Sequence, residues 1–250
     1  MLHTRLTLLL ITSLVCCFST ANESLKTVKL AAEDNWAPFA KASGTGVSHS
    51  LINQAFSTVG IKVDSIVVPY SRAVVMAKEG LVDGVFNLVK EQSTESEFIF
   101  GKQPLFSATA SFYHKVSTPV KAKDKWQLPS NTKVGIIRGY EYGDELKQLP
   151  NIKLITLSNH NQLINLLLLD RIDVAIMYDL VAKQYITQMG VSQEIEQIFT
   201  NHTGQVYLAF SKLNPHASKL AELLDRGLTR LKDDGSYQEI MASAGSLARN

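Results

Sequence analysis

Cysteine is nearly missing from this chain. Its 250 residues hold two, Cys16 and Cys17, both inside an N-terminal apolar run. The remainder can form no disulfide, no thiolate metal site and no cysteine nucleophile. Lysines and arginines form no basic tract, and a net charge of +2 gives no electrostatic reason to expect nucleic acid. The histidines past the start, His49, His114, His160, His202 and His216, are scattered without the close spacing of a zinc motif such as H-E-x-x-H, and each reads as a surface or loop residue. Gly44-Thr45-Gly46 is a lone G-x-G, with neither a third glycine nor a buried strand before it, so no phosphate loop or dinucleotide fingerprint is present. Past residue 21 no apolar stretch approaches the ~20 residues of a membrane span. Arginine is also absent between Arg72 and Arg138. No cofactor or metal is expected.

The first 21 residues read as a secretory signal. His3 and Arg5 give a mildly basic start, 6–18 is an apolar run, and Ser19-Thr20-Ala21 places small residues at −3 and −1 of a cleavage site near Ala21. The alternatives are an uncleaved anchor, or lipidation at Cys16 or Cys17, against which stands the lack of a small residue just before Cys17. The expectation is an exported, soluble, periplasmic protein.

The rest is organised around 163–179, LINLLLLDRIDVAIMYD, in which a helical run stops at Asp170-Arg171 and a short buried strand delivers Asp179 beyond its end. The same grammar occurs at 72–87, RAVVMAKEGLVDGVFN, ending near Asn87. In open α/β sheets ligands bind outside the carboxyl ends of such strands. Two copies predict two α/β lobes facing each other; the plainer alternative is two helix-to-strand connections in one sheet.

Other segments fit. A strand at 27–32 leads into a loop at 33–38, and Trp36 and Phe39 there either stack on a ligand or plug the space beneath the loop. Ser48 is placed to cap a helix to about 59, Gly60 ends it, and 61–68 is a strand. Pro69 closes that strand, and Ser71 can cap the next helix. This puts Tyr70 and Arg72 at a strand-to-helix junction, where Arg72 either forks onto a carboxylate or phosphate or sits in solvent. After a strand at 133–137 comes Arg138-Gly139-Tyr140-Glu141-Tyr142-Gly143, in which Gly139 can turn the backbone toward a ligand. The segments 105–114 and 205–210 are β-like and read as crossovers. The chain leaves lobe one (22–112), builds lobe two (113–204) and returns (205–250), which makes a hinge.

These residues, in order, carry a resemblance: Trp36-Ala37-Pro38-Phe39, PYSRAVVMAKEGLVDGVF at 69–86, FIFGKQPL at 98–105, VGIIRGYEYG at 134–143 and LLLLDRIDVAIMYD at 166–179. The set is similar to the periplasmic solute-binding proteins of family 3, which include polar amino-acid receptors of ABC importers. The resemblance implies a two-lobed periplasmic-binding-protein fold of the type II kind, with two small sheets flanked by helices and joined by two hinge strands. It implies an expected monomer that closes on a small polar solute and meets an inner-membrane permease or a sensor. It also implies that Asp179 holds a ligand ammonium. The family's amino-acid receptors grip the ligand carboxylate with an arginine in a Thr-x-x-Arg phrase. Here the counterpart, 90–97, is Lys90-Glu91-Gln92-Ser93-Thr94-Glu95-Ser96-Glu97, with no arginine. Either Lys90, Arg72 or Arg138 substitutes, or the ligand is amine-bearing or uncharged rather than a plain α-amino acid. The expected contacts are Trp36, Phe39, Tyr70, Arg72, Asn87, Arg138, Gly139, Tyr140, Tyr142 and Asp179.

Three functions compete. The first is a non-catalytic receptor, and the second a sensor module with the same ligand logic. The third is an enzyme on this scaffold, which would draw acid–base chemistry from Glu33, Glu97, Glu141 or Asp179. The receptor is the reading taken.

Overall fold

The computed structural model describes residues 25–150 and 152–247, with side chains to 244, so the expected signal segment lies outside the described residues. Its first half runs β1 (Thr27–Glu33), β2 (Asn35–Trp36), β3 (Ala40–Lys41), α1 (Val47–Thr58), β4 (Lys62–Val68), α2 (Tyr70–Lys78), β5 (Gly84–Val89), α3 (Gln92–Glu95) and β6 (Phe98–Phe100). Then come β7 (Phe106–Lys115), β8 (Lys133–Ile137), β9 (Lys153–Leu157), α4 (His160–Leu168), β10 (Val174–Tyr178), α5 (Asp179–Gln188), β11 (Ile195–Ser211), α6 (Ala217–Asp233) and α7 (Ser236–Leu247).

The strands order as β4-β1-β5-β11-β7-β10-β8-β9, with β6 also on β11. Pairing is parallel within β4-β1-β5 and within β10-β8-β9, and antiparallel at β5/β11, β11/β7 and β7/β10. Two parallel α/β sets are therefore joined through a long antiparallel ribbon, β7 with β11. This is the two-lobed architecture expected, with the two small sheets hydrogen-bonded into one ladder across the crossover strands. β5 and β10 are buried along their whole length, as strands covered on both faces must be, which is why they read as continuous apolar runs.

The repeated phrase is one construction used twice. Asp83 donates its N–H to the Lys29 carbonyl at 2.7 Å, and its carboxylate accepts the Lys29 N–H at 2.7 Å. Asp173 does the same with Lys133, at 2.9 and 2.7 Å. Each aspartate clamps the start of a strand to its parallel neighbour, far from the carboxyl ends where a ligand would lie.

α6 explains a glycine that helix propensity disfavours. Leu220, Leu224, Leu228 and Leu231 form its buried stripe. Gly227 lies on the same face against α1, where a Cβ would come 2.1 Å from the Ala55 carbonyl oxygen.

Several local expectations are corrected. Residues 35–36 are a two-residue ribbon with 40–41 rather than part of an open loop. Ser48 does not cap α1: Gly46 holds that position, and Ser48 is buried inside the helix with its hydroxyl turned to Asn87. α2 starts at Tyr70 after Pro69, so Ser71 is within the helix and caps nothing. Asp179 is the first residue of α5, and no side chain caps that helix start. The returning strand is 17 residues long instead of the 205–210 expected. Register shifts between Gln197 and Phe199 and between Thr200 and His202 break its two-residue alternation, and that alternation is the signal by which a strand is read.

Candidate functional site

Glu33 ends β1 with 1% of its surface exposed. Asn87, held at φ 61°, donates its Nδ2 to Glu33 Oε1 at 2.9 Å and accepts from Ser48 Oγ at 2.6 Å. Three elements of one lobe thus fix one carboxylate. The opposite lobe supplies Tyr140, whose hydroxyl donates to Glu33 Oε2 at 2.8 Å. The reverse pair lies beside it: Tyr70, at the start of α2, donates to both oxygens of Glu141 at 2.9 and 2.7 Å. Each lobe presents one glutamate and one tyrosine, and each tyrosine bonds the other lobe's glutamate.

Aromatic rings close the cluster. Trp36 meets Tyr178 edge-on at 5.1 Å, Tyr70 meets Tyr140 edge-on at 4.8 Å, and Tyr142 stacks behind Tyr178 at 5.8 Å. The gap, lined by Glu33, Trp36, Tyr70, Asn87, Tyr140, Glu141 and Tyr178, holds about 160 Å³ free of protein atoms, part of it open to solvent. Only about 10 Å³ of it admits the centre of a water molecule, room for roughly one water. A larger guest has to part the crossed Tyr–Glu pairs. The buried Trp36 Nε1–H has no hydrogen-bond partner, an unspent donor in the wall.

The electrostatics are one-sided, because the lining carries two carboxylates and no cation. Burial pushes Glu33 up to about 8, offset in part by the Asn87 and Tyr140 hydrogen bonds and reinforced by the charge of Glu141. Burial likewise pushes Glu141 to about 8 against the Tyr70 hydrogen bond. A second contact between the lobes flanks this pair. Asn35 Oδ1 accepts from Tyr185 at 2.5 Å and lies 3.2 Å from His160 Nδ1. Burial lowers His160 to about 3, so that imidazole is neutral and brings no positive charge.

The model of the bacterial extracellular solute-binding proteins, family 3, matches residues 28–244. The chain belongs to that family. Among solved structures, it resembles an amino-acid ABC transporter substrate-binding protein from Streptococcus pneumoniae bound to L-arginine, at 19% identity and a TM-score of 0.74, over 89% of this chain and 95% of that one. A histidine kinase sensor domain with similarity to periplasmic binding proteins matches at 16% identity and TM-score 0.76, over 87% and 95%. An ancestral amino acid-binding protein, a precursor of cyclohexadienyl dehydratase, matches at 19% and 0.72, over 87% and 94%. At such identities the likeness is one of fold. No curated protein matches the sequence.

The ten contacts expected of this family-3 protein divide into groups. Trp36, Tyr70, Asn87 and Tyr140 line the gap. Tyr142 is buried behind it, its hydroxyl accepting the Ile137 N–H at 3.3 Å. Phe39 stacks on Phe106 at 4.4 Å, as a plug beneath the loop. Gly139, at φ 83°, turns the backbone so that Tyr140 and Glu141 face the other lobe. Asp179 lies in an adjoining groove with Ser107, Thr109 and Tyr178 and accepts from Tyr113 at 3.0 Å.

The cations expected to replace the missing arginine are elsewhere. Arg72 is exposed on α2, Arg138 is exposed in the outer groove with Asp34 and Ser158, and Lys90 pairs with Glu95 at 3.0 Å. Sequence reasoning missed Tyr178, Asn35, His160 and Tyr185 as site residues and weighed Glu33 and Glu141 only as catalytic acids. The one signal for Tyr178 was its place immediately before Asp179.

A pH dependence follows. Above about pH 4.5 the unfolded chain has lost protons that Glu33 and Glu141 still hold in the fold. Their contribution to stability is complete below that pH and is lost as pH rises through about 8. The ligand-free protein is therefore expected to melt at a lower temperature at pH 9 than at pH 6, and Glu141→Gln to shrink that difference. Scanning calorimetry across the range checks it; a higher melting temperature at pH 9 would refute the assignment.

Proposed function

We propose that this protein is an exported receptor that closes its lobes, 22–112 with 205–250 and 113–204, on a small polar, amine-bearing solute. It then presents the closed form to a membrane partner, the permease of an ABC importer. One observation supports this most: carboxyl groups and aromatic rings from opposite lobes converge on one gap, so a ligand there touches both lobes at once. Such a ligand favours the closed form by the contacts that only closure completes. Trp36, Tyr70, Asn87 and Tyr140 are the proposed contacts, and Asp179 is reached only by a solute extending past Tyr178.

A sensor partner is the second reading, supported by the likeness to the histidine kinase sensor domain. It uses the same site. An enzyme would have to turn its solute over.

The test is a thermal-shift screen of amino acids, amines, sugars and organic acids, followed by calorimetry of the hits and a check for turnover. A ligand at 100 times its Kd stabilises by about 2.7 kcal/mol, a visible shift. Trp36→Phe is expected to weaken the hit at least fivefold, because it shrinks the wall of the gap. Unchanged affinity would place the ligand elsewhere, and turnover would favour the enzyme.

A further inference from the structure

The receptor reading leaves the solute's charge pattern open, and the inference here rests on that reading. The gap has a glutamate carboxyl group on each side and no cation between them. Glu33 is held by Asn87 and Tyr140, and Glu141 by Tyr70, with no cationic side chain in the lining. Every donor group of the lining that makes a hydrogen bond, namely Asn87 and three tyrosines, already serves a carboxylate or a carbonyl. Only the Trp36 indole N–H is free. A ligand carboxylate would find no cation in the lining to pair with, only carboxyl groups and the Trp36 indole N–H.

The segment where the family resemblance implies a carboxylate-gripping arginine offers only Lys90 as a cation. That ammonium is bonded to Glu95 and lies over the rings of Phe100 and Tyr207, engaged outside the gap. A positive charge, in contrast, meets two carboxylates and the faces of tryptophan and tyrosine rings, which attract cations.

We propose that the solute is an organic cation without a carboxylate (an amine, a guanidine or a quaternary ammonium) and that the site discriminates against zwitterionic α-amino acids. The cation lies between Glu33 and Glu141, taking over the places that the Tyr140 and Tyr70 hydroxyls hold in this structure. Specificity comes from attraction to the carboxylates left when a cation displaces their protons, and from the lack of any cation to pair a ligand carboxylate.

Pairs of probes that differ only in the carboxylate test this by calorimetry: agmatine against L-arginine, cadaverine against L-lysine, putrescine against L-ornithine, with tetramethylammonium and guanidinium as cations of other shape. At least one organic cation is expected to bind, and its carboxylated partner, where it has one, to bind at least tenfold more weakly. Glu141→Gln is expected to reduce that discrimination at least threefold, and Glu33→Gln serves the same purpose should the first variant fail to fold. Equal or tighter binding of the amino acids overturns the proposal. So does the failure of every cation. In either case a neutral or zwitterionic hit that Trp36→Phe weakens leaves the receptor reading standing, and the absence of any such hit removes that reading as well.

Discussion

Gly227→Ala is expected to destabilise the protein by about 3 kcal/mol and to lower its melting temperature by roughly 6–12 °C for a chain of this size. The added methyl would stand 2.1 Å from the Ala55 carbonyl oxygen, 2.6 Å from its carbon and 2.9 Å from its Cα. These are backbone atoms inside α1, so no side-chain rotation can clear them. The two helices would have to separate, loosening Leu224 and Leu228 of α6 from Ile52 and Phe56 of α1, all buried. Opposing this is the helix preference of alanine over glycine, about 1 kcal/mol, which the expected figure already absorbs. Scanning calorimetry of wild type and variant decides it. A melting temperature at or above wild type would mean that the helices meet less closely than this.

Glu33→Gln is expected to cost about 100-fold in affinity for the cationic solute while leaving the fold intact. The amide keeps an acceptor for Asn87 Nδ2 and a neighbour for the Tyr140 hydroxyl, so the bonds at 2.9 and 2.8 Å survive in altered form. Only the charge is removed. A hydrogen bond to a charged group is worth about 1.5–3 kcal/mol, and leaving a buried charge without its partner costs about 2–5 kcal/mol. A hundredfold loss, close to 2.7 kcal/mol, lies in the overlap of the two ranges.

The sign of the pH effect gives a second readout. Glu33 and Glu141 both titrate at about 8 in the ligand-free fold, so binding a cation at neutral pH expels protons. Wild-type affinity is therefore expected to rise between pH 6 and 8, with part of that slope lost in the variant. Calorimetry in buffers of different ionisation enthalpy counts the protons. An affinity independent of pH, or a variant that binds as wild type does, would remove Glu33 from the recognition of charge.

Much of this was legible in the sequence, and the limits are physical. The phrases EGLVDGVF and DRIDVAIM were readable as a repeat because they combine a helix stop with a fully apolar strand. Asp83 and Asp173 within them clamp neighbouring strands, a role visible only once the strand pairing is known. Tyr70 and Tyr140 were legible as residues just past strand ends. That each would reach the glutamate of the opposite lobe was not, since Tyr70 and Glu141 are 71 positions apart and meet only when the lobes do. Ser48 was misread because a serine at a helix start is usually a cap, whereas here its hydroxyl props Asn87. The arginine substitutes were misplaced for a related reason. Sequence shows which cations exist, but not that Arg72 and Arg138 point outward while the gap is furnished with acids.

The long ribbon of β7 and β11 has one more consequence. Because β7 and β11 stay paired from one lobe to the other, the opening proposed for this receptor would flex the ribbon as a leaf spring rather than turn a loose joint. Its two irregularities fall within Gln197–His202, where extra residues bend and twist a strand most readily. Compliance is thereby concentrated in a stretch outside the lining of the gap. In the receptor proposed above, the residues that bend the ribbon and the residues that grip the solute would therefore be different ones, so each set could change without the other.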